Sequence, residues 1–467
     1  MKRYKYSLSI LFMTLMLGSC SVTKDHTKPA LTTPAQFGTT KNGGNDSTVL
    51  NRRDFFRNEK LVTLIDHAIE KNSEIQLAIQ NIESAGALFK KVKLNYLPEL
   101  NAQINANRNT ASKNSLAGIS AQQFTSSTTT QDFTTLLGLT WEVDIWGKIK
   151  RQKEAAMADY LQSQAVKKAV QTKLVADVAN GYYNLLMLDN QLLVAKRNIE
   201  LGENTLQILR IQFKYGDANA LGIQQATAQL ELVRALQSQI GQDILQQEIA
   251  LSILCGDYPS AIDRQEKINN ELNTAHMDYG VSVLANRPDV FASELGLRSA
   301  NAKVGLAQAS LYPSISLSSQ AGLNALKVSN WFAVPASLFS TFAGGITQPI
   351  FNRGALKLQQ KQAKIDYEKA VINFRQSVLA AYGEVSIALI KAEKLQEQAK
   401  HTRLREQELE SGIVTAKKLF KNGMVNYLEV ITAENNYLQA SLASAQLQRE
   451  QIANKIELYR AVGGGWN

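Results

Sequence analysis

A stripe of apolar residues runs from Gly147 to Tyr215, where hydrophobic side chains recur mostly three, four or seven positions apart. No proline interrupts this stretch, so the spacing predicts one continuous helix with a single apolar face. At about 1.5 Å per residue such a helix would be roughly 100 Å long, far more than a compact domain needs. The pattern therefore indicates a protein that spans a distance.

Two strands are predicted ahead of this helix. Apolar residues alternate with Asn and Gln between Leu100 and Asn107, and alternation resumes between Leu137 and Ile145. A two-residue period is typical of a strand with one apolar and one polar face. The intervening segment, 107–132, is rich in Ser, Thr and Asn, and we expect a long exposed loop there. Together the strands and loop would form one hairpin.

The same order of elements occurs twice, which indicates an internal duplication. In the first copy, a helix predicted from Leu61 to Leu94 precedes the hairpin. In the second copy, Asn286-Arg287-Pro288-Asp289 opens the corresponding helix, alternation restarts at Ile315, and another long helix follows Gly354. Both long helices end in the sequence Phe-Lys-x-Gly.

The chain begins like an exported lipoprotein. A basic start precedes the apolar run from Leu8 to Leu17, which is too short to span a bilayer and is typical of a signal peptide. Leu17-Gly18-Ser19-Cys20 resembles the bacterial lipobox, so Cys20 is expected to carry lipid at the mature N-terminus. Cys255 would then lack an internal disulfide partner, and we expect it to be a small buried hydrophobe.

The predicted signal peptide, helices, strands and internal duplication divide the chain into five parts. Residues 1–19 form a signal peptide, 20–60 a lipidated extended segment, 61–255 the first structural repeat, 256–285 a connector, and 286–463 the second structural repeat.

Composition agrees with long helices, because only 8 of 467 residues are proline and Ala, Leu, Gln, Glu and Lys dominate long tracts. The net charge of +10 is spread along helical faces, so no nucleic-acid partner is expected. The sequence has four histidines, His26, His67, His276 and His401, and their spacing is not that of metal ligands. No motif for an enzyme, metal site or cofactor is present.

Four strands separated by long helices leave two sheet edges unpaired, which is unstable in water. A soluble sandwich or a membrane barrel built from several copies would remedy this. Strands of about ten residues with one apolar and one Asn-, Gln-, Ser- or Thr-rich face favour the barrel. Because transmembrane barrels must close, one chain is insufficient, whereas three copies would supply twelve strands.

Several features together resemble the TolC-type outer-membrane efflux channel family, in its lipoprotein branch. They are the strand-to-helix junctions at 141–147 and 347–354, the Asn286–Asp289 opening and the Phe-Lys-x-Gly breaks. The resemblance covers roughly Leu61 to Gly463. It implies an internally duplicated α+β fold, in which a trimeric twelve-stranded transmembrane β-barrel continues into a long α-helical periplasmic barrel.

The resemblance also implies function and partners. The homotrimer would be embedded in the lipid of the cell outer membrane, as the passive exit duct of a tripartite efflux system. A periplasmic adaptor protein and an inner-membrane pump would complete the duct and supply the energy. The duct of a type I protein-secretion system shares this fold and is one alternative. A periplasmic coiled-coil scaffold lipoprotein without a pore is another, although duplicated lipid-facing hairpins disfavour it.

In this family the breaks at Gly216 and Gly423 would lie at the periplasmic tip, where the adaptor docks and the tunnel closes. The resemblance assigns Glu429 to a ring of acids that narrows the tunnel, and Asp217 adjoins the first break. An alternative role for Glu429 is a capping box with Asn426. The two glycines are also expected to end their helices in a left-handed conformation.

Three departures from the family pattern mean that the usual gate-locking contacts do not carry over residue by residue. Thr432 stands where a second acid is common, Gly222 stands where the first half would hold an acid, and Met424 and Val425 replace a common arginine.

Aromatic residues flank the predicted strands at Trp141, Trp146 and Phe351. They are candidates for a girdle at the membrane interface, where aromatic rings are enriched. Packing at the junction of strand and helix is the alternative role.

Overall fold

The computed structural model describes residues 51–265 and 280–466, together with residues 27, 34, 37 and 272. The predicted signal peptide 1–19 and lipidated Cys20 lie outside the described residues. The helices and strands in chain order are α1 (Arg52–Phe56), α2 (Glu59–Lys71), α3 (Ser73–Leu94), β1 (Glu99–Thr110), α4 (Leu116–Thr125), β2 (Thr129–Val143), α5 (Lys148–Tyr215), α6 (Ala220–Leu254), α7 (Pro288–Ala309), β3 (Ser314–Ala325), β4 (Leu338–Thr347), α8 (Ala355–Lys421) and α9 (Tyr427–Ala461). Short 3-10 helices cover Val281–Asn286 and Val328–Asn330.

The four strands form one antiparallel sheet in the order β1-β2-β3-β4. The prediction of a mainly helical α+β chain with two hairpins is confirmed. Among the helices in the described part of the chain, none contains a stretch both long and apolar enough to span a bilayer.

The single helix predicted from Leu61 to Leu94 is wrong, because the chain breaks at Asn72 into α2 and α3. The Asn72 side-chain oxygen accepts hydrogen bonds from the backbone N–H groups of Glu74 and Ile75, at 2.9 and 3.1 Å. Its amide group also donates to the carbonyl of Leu254 at 2.8 Å. Asn72 therefore caps α3 and ties it to the end of α6, a contact that local periodicity does not reveal.

The loop predicted at 107–132 is also partly wrong. β1 continues to Thr110, β2 begins at Thr129, and α4 occupies most of the interval between them. The Ser115 hydroxyl caps α4 by accepting a hydrogen bond from the N–H of Gly118 at 3.1 Å. The Ser- and Thr-rich composition thus supplies a helix cap and strand ends as well as turns.

The chain divides into two compact units. Among the described residues, the first, called here the sheet unit, comprises Glu83–Leu161 and Leu295–Ile372, and the second, the helical unit, comprises residues 51–82, 162–265, 280–294 and 373–466. In the helical unit the core is built around buried aromatic rings, in which Phe55 stacks on Tyr459 with 4.0 Å between ring centroids. Tyr182 and Tyr183 are fully buried in the same core.

Four of the long helices end in the same hydrogen-bonded turn. At the end of α5, the backbone N–H of Gly216 donates a hydrogen bond to the carbonyl of Phe213, and the N–H of Asp217 donates to the carbonyl of Gln212. Gly216 has a φ of 84°. This is a Schellman motif, which requires a left-handed residue that glycine adopts without strain. The same pair of bonds ends the other three helices, at Gly256, Gly423 and Gly463. The prediction of left-handed terminators at Gly216 and Gly423 is confirmed.

Arg287 explains the Asn-Arg-Pro-Asp sequence that opens α7. Its side chain is only 4% exposed and forms ion pairs with Asp289 at 2.7 Å and Glu384 at 2.8 Å. It also donates to the carbonyl of Ala461 at 2.9 Å. Burial alone would raise the pKa of Asp289, but the hydrogen bonds and charge of Arg287 outweigh it and lower that pKa below its usual value. The motif therefore joins α7 to α8 and to the end of α9.

Cys255 lies at the end of α6 and is buried as a free thiol. Burial, assisted by the charge of Asp257, raises the pKa of this thiol to about 11. The prediction of a small buried hydrophobe is confirmed.

Candidate functional site

The sheet presents one apolar face. Cross-strand partners bring Leu100 beside Leu139, Leu139 beside Ser319, and Ser319 beside Phe342. Alternate residues share a face, so this row belongs to a surface that runs across all four strands. The apolar side chains on this face are Leu100, Ala102, Ile104, Ala106, Phe133, Leu137, Leu139, Trp141, Val143, Ile315, Leu317, Ala321, Leu323, Ala325, Leu338, Phe342 and Ile346.

The opposite face is mainly polar and carries neutral hydrogen-bonding groups. It holds Asn101, Gln103, Asn105, Asn107, Thr130, Thr134, Thr140, Ser316, Ser318, Gln320, Asn324 and Thr341, with Glu99, Asp132 and Glu142 as acids. A sheet with these two faces matches an apolar environment on one side and water on the other.

Large apolar side chains on the first face are exposed within one chain. Ile104 on β1 is 72% exposed and Phe342 on β4 is 76% exposed. β1 and β4 are also the two edges of the sheet, so each leaves a row of backbone groups without a strand partner among the residues that the structure describes. A single copy therefore leaves both an apolar surface and two hydrogen-bonding edges uncovered.

The predicted aromatic residues have different surroundings. The indole N–H of Trp141 donates to the carbonyl of Tyr96 at 3.0 Å, and that of Trp146 donates to Pro313 at 2.7 Å. Phe351 is 87% exposed. The two tryptophans thus donate hydrogen bonds to backbone carbonyls near the strand ends, and the girdle assignment of all three residues stays a prediction.

In the helical unit, the structure brings the two predicted breaks together. At both breaks the Schellman glycine, Gly216 or Gly423, is followed three residues later by an asparagine that caps the next helix. Asn219 accepts from the N–H of Gly222 at 2.9 Å, and Asn426 accepts from that of Leu428 at 2.8 Å. Residues from both breaks pack on one cluster, called here the tip cluster, whose buried members are Leu206, Leu209, Ala226, Leu230, Phe420 and Val430.

Tyr427 links the two breaks directly. Its ring covers Gly222, where an added Cβ atom would lie 2.9 Å from the ring. Its hydroxyl donates to the side-chain oxygen of Gln225 at 3.0 Å. Gly222, a departure from the family pattern, is therefore the position that makes room for an aromatic ring.

We expect Gly222→Ala to lower the stability of the folded protein by about 1 kcal/mol. Alanine ordinarily stabilises a helix relative to glycine by about 1 kcal/mol, but overpacking against Tyr427 costs roughly 1–3 kcal/mol. Urea unfolding of Gly222→Ala, Tyr427→Ala and the double variant measures the coupling. Gly241→Ala is the control, since that glycine lies in the same helix with no atoms near its added Cβ. A stabilising Gly222→Ala in the presence of Tyr427 would contradict the expectation.

Glu429 and Asp217 are both exposed. Glu429 is the third residue of α9, and within the described part of the chain its carboxylate has no hydrogen bond or ion pair. Asn426 therefore caps the helix without the reciprocal bond of a capping box. Asp217 contributes its backbone N–H to the turn at Gly216. Their gate role stays a prediction.

A buried carboxylate near the tip cluster was not predicted. Glu434 is 7% exposed, pairs with Lys417 at 3.0 Å and accepts a hydrogen bond from Thr205 at 3.0 Å. Beside it is a cavity of about 20 Å³, enough for one water molecule. This group joins α5, α8 and α9. The sequence feature that could have predicted this buried carboxylate is the position of Glu434 in the apolar stripe of α9, between Val430 and Leu438.

Among the described residues, no group of three or more His, Cys, Asp and Glu side chains is placed to hold a metal ion.

Comparisons with known proteins agree on one family. The model of the outer membrane efflux protein family matches residues 64–257 and 280–464. The cation efflux system protein CusC of Escherichia coli O157:H7 is 29% identical over 460 residues, with 97% of each chain covered. The probable outer membrane lipoprotein SilC of Salmonella typhimurium is 28% identical over 465 residues, with 98% of each chain covered. A crystal structure of CusC has a TM-score of 0.87 at 27% identity and covers 96% of this chain and 100% of the other.

The matched ranges contain all four strands, both long helices, and the breaks at Gly216 and Gly423. The family is defined by transport across the outer membrane rather than by a catalysed reaction. On the match of both halves to its family model, this chain belongs to the outer membrane efflux protein family.

Proposed function

We propose that three copies of this chain form an outer-membrane channel, the passive exit duct of a tripartite efflux system. The observation that carries the proposal is the four-stranded sheet with one apolar face, one polar face and two unpaired edges. Pairing β1 of one copy with β4 of the next would satisfy both edges. Three copies would then close a twelve-stranded barrel with lipid outside and water inside.

Strand lengths support a membrane-spanning role. β1 has 12 residues and β4 has 10, and a tilted transmembrane strand needs about 9–11. Each repeat, 61–255 and 286–463, would contribute one hairpin to the barrel and one pair of helices to the periplasmic tunnel. Lipid on Cys20 would anchor the leader of each copy in the same membrane.

The partners follow from the need for energy. The chain is a duct, so a periplasmic adaptor and an inner-membrane pump would supply the driving force, with the adaptor docking at the Gly216 and Gly423 breaks. The efflux names of the relatives favour this role over protein secretion. The neutral polar groups lining the lumen would discriminate little between solutes, so substrate choice would rest with the pump.

At the tip, three Glu429 carboxylates would form a ring that favours cations. We expect the purified, lipidated protein to show stepwise conductance in a planar bilayer and to migrate as a trimer. Glu429→Ala should reduce the preference for cations, because it removes three negative charges from the narrowest part. Reversal potentials in a salt gradient measure this preference.

Glu408→Ala is the matched control, since Glu408 is an exposed acid on α8 with no ion pair among the described residues. Unchanged selectivity in Glu429→Ala would retain the duct but remove Glu429 from the gate. A folded protein that stays monomeric and does not conduct would contradict the duct itself.

A further inference from the structure

A groove of about 450 Å³ lies in the sheet unit, where β2 passes into α5. It is bounded by the first turns of α5, by α7, and by Tyr96, which follows α3. Four basic side chains and one acidic side chain line it, namely Lys150, Arg151, Lys153, Arg298 and Glu154. The lining therefore has a net charge of +3.

Only part of this charge is neutralised inside the groove. Arg151 is buried and pairs with Glu154 at 2.7 Å. Neither Lys150 nor Lys153 forms an ion pair with any residue that the structure describes. The Lys153 ammonium lies over the Tyr96 ring, 6.0 Å from its centroid. The unneutralised positive charge on α5 is thus carried by Lys150 and Lys153, which lie one helical turn apart. An anion bound in the groove would form ion pairs with these two lysines.

Trp141 links the groove to the apolar face of the sheet. Trp141 belongs to that face, since its cross-strand partner is Leu317. Its indole N–H donates to the carbonyl of Tyr96, and the Tyr96 ring in turn lies beneath Lys153. Trp141 and Tyr96 therefore connect the apolar face of the sheet to Lys153 and the groove.

The depth of the lysines suits a phospholipid headgroup. Lys150 and Lys153 are the third and sixth residues of α5, so they lie about 3 and 8 Å from its start along the helix axis. The headgroup layer on each side of the hydrocarbon is roughly 5–8 Å thick. If the strands cross the hydrocarbon, the lysines lie within the layer that contains lipid phosphates.

Apolar groups form the remaining wall of the groove, among them Met157 and Leu295. They exclude water from one side of the lysines and lower the local dielectric, which strengthens attraction for an anion. A soluble anion would match the charge but would leave the adjoining Trp141 surface uncovered. A lipid would match both.

We propose that this groove binds the headgroup phosphate of an anionic phospholipid from the inner leaflet of the outer membrane. Lys150 and Lys153 pair with the phosphate, and an acyl chain lies along Trp141 and the apolar face of the sheet. The proposal rests on the proposed function, because it requires the strands to span the membrane. It assigns a lipid site to each copy of the chain.

Native mass spectrometry of the purified full-length protein, with phosphatidylglycerol or phosphatidylethanolamine added, tests this site. We expect wild type to retain phosphatidylglycerol preferentially. A lysine near an anionic headgroup contributes about a fivefold factor in binding, so Lys150→Gln with Lys153→Gln should weaken retention roughly 25-fold. The control is Lys361→Gln with Lys364→Gln, a pair of exposed lysines with the same spacing on α8.

Equal retention of phosphatidylglycerol by wild type and the Lys150/Lys153 variant would overturn the proposal. So would equal retention of both lipids by wild type, or full displacement by soluble glycerol phosphate. Planar-bilayer conductance is measured on the same samples. A conducting wild type without lipid preference rejects only the lipid site, whereas a wild type that neither inserts nor conducts rejects the proposed channel.

Discussion

Replacement of Ile104 by lysine is expected to cost about 2–4 kcal/mol of barrel stability in each copy, enough to prevent insertion of the assembled protein. Ile104 is the sixth of 12 residues in β1 and projects from the apolar face with 72% exposure. A lysine at mid-strand would place its charge near the bilayer centre, where the penalty for a lipid-facing charge is of this size. Folding into vesicles in urea titrations, followed by resistance to heat in detergent, measures the loss.

Asn105→Lys is the matched control for this experiment. Asn105 is the next residue of the same strand but pairs with Thr134 on the polar face. Its lysine would project into water, so insertion should be unaffected while the conductance and ion preference change. Equal loss of insertion in both variants would contradict the assignment of faces. Normal insertion of Ile104→Lys would contradict the transmembrane barrel.

Replacement of Arg287 by methionine is expected to lower the free energy of unfolding by about 3 kcal/mol. Removing one partner from a buried ion pair costs roughly 3–5 kcal/mol, since the other charge loses its compensation. The lower end applies because Asp289 and Glu384 are 47% and 35% exposed, so water screens part of the interaction. The methionine also leaves the carbonyl of Ala461 without this donor. Urea unfolding monitored by circular dichroism measures the difference.

The pH dependence of this effect has a definite sign. Arg287 lowers the pKa of Asp289 in the folded protein, so the pair stabilises the fold above the unfolded-state pKa of about 3.9. The gap between wild type and Arg287→Met should therefore be complete at pH 7 and shrink as the pH falls below about 4. Arg234→Met is the control, because Arg234 pairs with Glu203 and Glu231 while 45% exposed. A gap that grew in acid, or an equal effect of Arg234→Met, would contradict the role of Arg287.

Periodic elements of this fold could be predicted from the sequence because their patterns repeat over many residues. The α5 stripe predicts a helix whose observed bounds are Lys148–Tyr215. The alternation from Leu100 onward assigns side chains to the correct faces, since a strand has a period of two residues. The left-handed glycines were also predictable, because Gly216 and Gly423 end apolar periodicity in the same sequence context.

Features that depend on contacts distant in sequence could not be predicted in this way. Asn72 divides α2 from α3 partly through a bond to Leu254, and Gly222 is explained only by the Tyr427 ring. The positively charged groove also could not be predicted, because nothing in the local sequence distinguishes Lys150 and Lys153 from other helix lysines. The groove is formed only when Tyr96 and α7, which are distant in sequence, lie beside them. Periodicity identifies the elements, whereas these sites arise from which elements meet.

The two edges of the sheet are different strands, β1 and β4, and this difference affects how copies can assemble. A contact between β1 of one copy and β4 of the next is a head-to-tail contact, which forms a ring if the rotation closes and a filament if it does not. Each chain presents both edges, so in the proposed assembly ring closure would compete with open polymerisation at high local concentration. Tethering chains to one membrane would raise that concentration, so the proposed three-copy ring would have to close before a fourth copy could be added.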